Sequence, residues 1–146
     1  MATYNSPAIS AASPIAVHGE KNLVQNARAV VTTTAALTTA DVLNFFYLPP
    51  NARVVAGYLL SSDMDTNGTP TLAFNVGDSG SAARYFAASV VGQAGTASTA
   101  LAQAGFGYLT TAKTLITCSP SANAATGVAG TLELSLNYVV EDSATS

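Results

Sequence analysis

The most regular alternation in the chain runs over residues 130–140. Leu132, Leu134, Leu136, Tyr138 and Val140 share one face, and Glu133, Ser135, Asn137 and Val139 the other. Period two over this length predicts a half-buried strand. A slip of one residue would carry Glu133 into the core, so the register is well specified. Leu72, Phe74 and Val76 alternate with Thr71, Ala73 and Asn75 in the same way over 70–77. Two denser apolar runs, Val42–Leu48 and Arg53–Leu60, flank Pro49-Pro50-Asn51-Ala52. Neither proline offers an N–H, so the chain must turn there and the two runs pack into one core. Further strands are expected at 27–34, Arg84–Phe86, 106–111 and 113–118, the last with Ile116 and Cys118 opposite Leu115 and Thr117.

Turn chemistry separates these runs. Asp63–Gly68, with its Asn67-Gly68 step, reads as a polar hairpin loop. Gly77-Asp78-Ser79-Gly80 reads as a turn and Ser119–Gly127 as a turn-rich loop. Residues 87–105 are mostly Ala, Gly, Ser, Thr and Gln; they lack a period and have room for one helical turn near Ala87–Val91. About eight short strands with almost no helix predict an all-β fold, a single antiparallel β-sandwich or barrel. A jelly-roll-like sandwich is preferred over an immunoglobulin-like one, because the chain has no Trp and only one cysteine. The expected organisation is an extended N-terminal arm at 1–22, a sandwich domain at 23–142 and a polar tail at 143–146.

Composition sharpens this picture at one point. Only 9% of the 146 residues are charged, against roughly 25% in ordinary soluble domains. A surface this poor in charge is expected to lie partly against other subunits. The net charge is −3, and the basic residues Lys21, Arg28, Arg53, Arg84 and Lys113 are scattered, so no stripe exists to follow a phosphate backbone. No apolar run approaches the length of a membrane span. The first residues lack the basic start and apolar core of a signal peptide, so use without Sec-type export is expected.

Candidate chemistry is sparse. Asp63-x-Asp65-x-Asn67-Gly68 matches the first half of a calcium loop, but the position that needs a bidentate acid is Phe74. His18, the only histidine, has no nucleophile at fixed spacing. Cys118 reads as a small core residue, since no cation or helix terminus is implied beside it. Asn67-Gly68-Thr69 is a glycosylation sequon that here means only a turn, and the glycine-flanked aromatics of Gly105-Phe106-Gly107-Tyr108 suggest either a stacking surface or, more simply, the start of a twisted strand. No catalytic residue, metal ligand or cofactor site is assigned. The arm carries Ile9, Ile15, Val17 and His18 without a period of its own, so it is the candidate partner-binding segment.

Several stretches together resemble a known family. They are Leu37–Leu43, Leu48-Pro49-Pro50-Asn51-Ala52-Arg53-Val54, Gly57-Tyr58-Leu59, Leu72-x-Phe74-Asn75-Val76-Gly77-Asp78, Phe86-Ala87-Ala88, Gly107–Ile116 and Gly130–Tyr138. Their order over 37–140 resembles the decoration, or cement, proteins of tailed-bacteriophage heads. The resemblance implies a non-enzymatic homotrimer on the outer face of a capsid, stabilising the lattice of the major capsid protein. It also implies a virion protein assembled in the host bacterial cytoplasm, without nucleic-acid or membrane partners. The competing reading is a carbohydrate- or receptor-binding sandwich of a phage tail or fibre. Core-facing aromatics and the lack of Trp weigh against it.

Overall fold

A computed structural model describes residues 1–7 and 23–141. The expected arm residues Ile9, Ile15, Val17 and His18, and the tail at 143–146, lie outside the described residues. Nine strands are formed among those described: β1 (Thr3–Asn5), β2 (Val24–Thr32), β3 (Val42–Leu48), β4 (Ala52–Ser61), β5 (Ala73–Asp78), β6 (Ser81–Ser89), β7 (Ala97–Ser98), β8 (Thr114–Ala122) and β9 (Thr131–Val140). One sheet has the order β1-β3-β8-β5-β6 and the other β2-β9-β4-β7. All pairs are antiparallel except β1 with β3, which is parallel. From β2 to β5 every connection crosses between sheets; β5 and β6 form a hairpin; crossing then resumes to β9. That is the jelly-roll-like sandwich the strand pattern predicts.

The alternating strands bury the faces they were expected to bury. Leu132, Leu134, Leu136 and Tyr138 are inaccessible, as are Phe74, Val76, Ile116 and Cys118. The Phe45-Phe46 pair breaks alternation, yet both rings are buried. A register shift between Asn44 and Phe46 explains this: the bulge turns two successive aromatics inward. Pro49 and Pro50 carry the chain from one sheet to the other, as their missing donors require. Asn51 closes that corner in the left-handed region (φ 62). Its N–H donates to Thr110 O at 2.8 Å, and its own carbonyl accepts from Glu141 N at 2.8 Å.

Four expectations are corrected. The Asp63–Gly68 segment is not a hairpin, because β4 and β5 lie in different sheets and the segment crosses between them. Residues 106–111 form turns with a single bridge from Leu109 to Arg53 and are not a strand. Gly107 adopts φ 82 there, which breaks extended geometry. The helical turn falls at Val91–Gln93, because β6 runs on to Ser89. Strand β8 continues through Pro120 to Ala122, shortening the expected 119–127 loop. Pro120 sits at the register shift between Ala73 and Phe74, where the interrupted ladder tolerates its missing donor. The first residues also do more than the arm reading supposed. Thr3–Asn5 extend a sheet edge, Ser6 N donates to Asn44 O at 2.8 Å, and the Ser6 hydroxyl donates to Phe45 O.

Candidate interaction faces

The register fixes what the β2-β9-β4 surface shows to its surroundings, since residues opposite one another point to the same side. Outward rows run Val24–Val139–Arg53, Asn26–Asn137–Ala56, Arg28–Ser135–Tyr58 and Val30–Glu133–Leu60. A register shift between Val54 and Ala56 keeps both Arg53 and Ala56 on this side. The polar groups of the middle rows satisfy one another. Arg28 Nε and Nη2 donate to Glu133 at 2.9 and 2.6 Å, and the Tyr58 hydroxyl donates to the same carboxylate. Asn26 Nδ2 donates to Ser135 Oγ and Asn137 Oδ1, both at 2.7 Å. Hydrogen bonds from Arg28 and then Tyr58 hold the Glu133 carboxyl below its ordinary value. The Arg53 guanidinium pairs with Glu141 at 2.8 and 2.9 Å at the end of the sheet. Among the described residues this face therefore has fixed polar groups and no uncompensated charge.

Beside these rows lies a hollow of about 540 Å³, bounded by Asn26, Val55, Tyr58, Leu101 and Phe106. Phe106 is 64% exposed. Sequence reasoning placed it in a strand; the glycines on either side were the available sign that it stands on a turn.

The other sheet carries a second groove, of about 530 Å³, at the ends of β3 and β8. Lys113 Nζ lies 4.3 Å above the Tyr47 ring, and the Arg84 guanidinium 3.6 Å above Tyr108. Arg84 also grips Asp78 at 2.7 and 3.1 Å. Burial works against the Asp78 charge, but Arg84 and the N–H groups of Ser81 and Gly80 outweigh it and keep the carboxyl below its usual range. Lys113 has no carboxylate partner among the described residues.

The half-match to a calcium loop has a structural use. Asp65 is buried, and its carboxylate accepts N–H groups from Thr71 at 2.7 Å, Leu72 at 3.1 Å, Ala125 at 3.0 Å and Thr126 at 2.9 Å. Burial alone would raise its pKa; the four backbone donors prevail and hold it well below the usual carboxylate range. Asp65 thus ties the β4–β5 crossover to the β8–β9 loop. Among the described residues no cluster of His, Cys, Asp and Glu is arranged to hold a metal ion. Cys118 is buried in β8, and burial pushes its thiol up, away from reactivity.

The described surfaces thus carry closed polar networks, one exposed aromatic and two grooves. No protein-family model and no curated relative matches the chain. Among solved structures it is similar to a chain of the cyanophage Pam1 capsid asymmetric unit, with 41% identity and a TM-score of 0.76, over 85% of this chain and 89% of that one. It is similar to a chain of the capsid of Ralstonia phage GP4, with 30% identity and a TM-score of 0.80, over 99% of both. A chain in the acidic stable capsid structure of Helicobacter pylori bacteriophage KHP30 shares the fold, with 16% identity and a TM-score of 0.59, over 84% of this chain and 92% of that one. The protein belongs to the family of bacteriophage capsid-associated proteins represented in the Pam1 and GP4 particles. It is a phage structural protein of the virion.

Proposed function

We propose that this protein is a decoration, or cement, protein. It sits as a homotrimer on the outer face of a phage head and stabilises the major capsid protein lattice, without enzymatic activity. The observation that carries the reading is the end-to-end match: 99% of this chain aligns with 99% of a chain in the GP4 capsid. The aligned chain is therefore of about the same length as this one and shares its single-sandwich fold. A compact 146-residue domain has a radius of gyration of about 15 Å. Such a unit suits seams and vertices of a shell better than the shell floor. The low charge supports the same role, because surfaces with few charges are covered at low desolvation cost. In this reading the arm residues beyond β1, with Ile9, Ile15, Val17 and His18, attach the protein to the lattice, and assembly takes place in the host cytoplasm.

The test is to prepare particles lacking this chain and add it back. Restored occupancy with a higher temperature of genome release supports cementing. Particles that cannot close their shell without it would instead make it a lattice-building subunit.

A further inference from the structure

We infer that the outer face of the β2-β9-β4 sheet, with Phe106 on its β4 side, is where copies of this chain join one another. The inference rests on the homotrimeric capsid role proposed above and names the contact that role requires.

Phe106 is the only exposed aromatic residue among the described residues. Its ring is 64% exposed, yet its backbone is firmly held. Phe106 N donates to Ala102 O at 3.1 Å, Gly107 N to Val54 O at 3.0 Å, and Tyr108 N to Gly105 O at 3.1 Å. The Arg53 guanidinium donates to the Gly107 carbonyl, and Arg53 is itself fixed by Glu141. A loop tied at four points presents its aromatic side chain with little left to order on binding. Such preorganised aromatic anchors carry much of the energy of protein contacts. Phe106 also borders the hollow of about 540 Å³, so a knob and a recess stand side by side.

Charge selects the partner. Every described ionised group on this face is already paired: Arg28 with Glu133, and Arg53 with Glu141. A charged partner gains nothing here. It would be drawn instead to Lys113, on the opposite sheet, which has no carboxylate partner among the described residues. A neutral partner covers this face at least cost, and another copy of a chain with 9% charged residues is such a partner. Exposed Val24 and Leu60 at opposite ends of the rows extend the apolar contact beyond the ring. Four outward rows spaced two residues apart span roughly 20 Å, and three strands plus the Phe106 loop roughly 15–20 Å. The flat projection is therefore about 300–400 Å², about half of the roughly 800 Å² that one partner contributes to a standard interface; side-chain relief and the hollow add to it.

The experiment places a photo-cross-linking residue at position 106 of the full-length chain and irradiates it in solution and on particles. The expected product is a covalent pair of two copies of this chain in both settings. A product joining it to a different capsid protein, or no product, overturns the inference. In parallel, wild type, Phe106→Ala, Phe106→Asp and, as a control off this face, Lys113→Glu are sedimented at micromolar concentration. Association is expected to weaken roughly thirtyfold in Phe106→Ala, to vanish in Phe106→Asp, and to be unchanged in Lys113→Glu. Urea midpoints matching wild type show that the variants remain folded. A wild type that sediments as a single 14.7 kDa chain defeats the homo-oligomer reading itself. An oligomeric wild type with an equally oligomeric Phe106→Asp defeats only the assignment of the face.

Discussion

The seat of Phe74 on the Val91–Gln93 turn gives a sharp test of the core. A Cβ built on Gly92 would lie 2.7 Å from Phe74 Cε2 and 2.9 Å from Leu72 Cδ2. The Phe74 ring, fully buried in central strand β5, therefore lies against bare backbone. Gly92→Ala alone forces a methyl into occupied space, and overpacking of this kind costs roughly 1–3 kcal/mol. Phe74→Leu alone loses ring contacts and leaves a void, at about 1–3 kcal/mol. In the double variant the added methyl enters the space the ring vacated. The two costs then partly cancel, with a coupling of roughly 1–2 kcal/mol in the stabilising direction. Urea unfolding with a common m-value reads all four proteins directly. Costs that add to within about 0.5 kcal/mol would refute the contact, and with it the idea that this turn fastens the 87–105 segment to the core.

Other outcomes follow from the strand faces and the closed polar networks. Leu134→Asp places an unpaired charge in the inaccessible face of β9 and should abolish folding, since the penalty is comparable with a stability of about 5–15 kcal/mol. Glu133→Gln should cost only about 0.2–1 kcal/mol, because the Arg28 side chain of that pair is 55% exposed. Equal urea midpoints for these two would contradict this assignment of the faces. The depressed Asp65 carboxyl contributes stability that is fully present above its unfolded pKa of about 3.9 and is lost as pH falls below it. Asp65→Asn should therefore flatten the acid limb of a stability–pH curve measured from pH 6 down to pH 2.5; an unchanged limb would contradict the network. Calcium and chelators should leave melting within about a degree, because a cation would have to strip Asp65 of its backbone donors. A rise of several degrees in millimolar calcium, lost in Asp63→Ala, would overturn that.

What the sequence disclosed, and what it hid, follows from the range of the interactions. Strand β9 was legible because one face of a sheet needs strict alternation, and Leu132 to Val140 supply it. The Pro49-Pro50 corner was legible because the missing donors act locally. The Asn67-Gly68 step announces a turn but not which strands it joins, so a sheet-to-sheet crossover was mistaken for a hairpin. Asp65 gave no local sign of its role, since two of its donors, Ala125 and Thr126, lie about sixty residues away in sequence. The length of β6 was masked by Ala and Ser, which carry little strand propensity. Phe106 read as the start of a strand because its exposure is decided by the turn that carries it. The outer face of β2, β9 and β4 is built by register between distant strands, and pairing of that kind has no local signature.

A density map of the native particle tests placement on the shell and the trimer together. This sandwich is expected as discrete density on the outer surface of a continuous shell, in groups of three, with Phe106 at the contact between copies. Density for this chain within the shell floor, or as isolated single copies, would contradict this expectation.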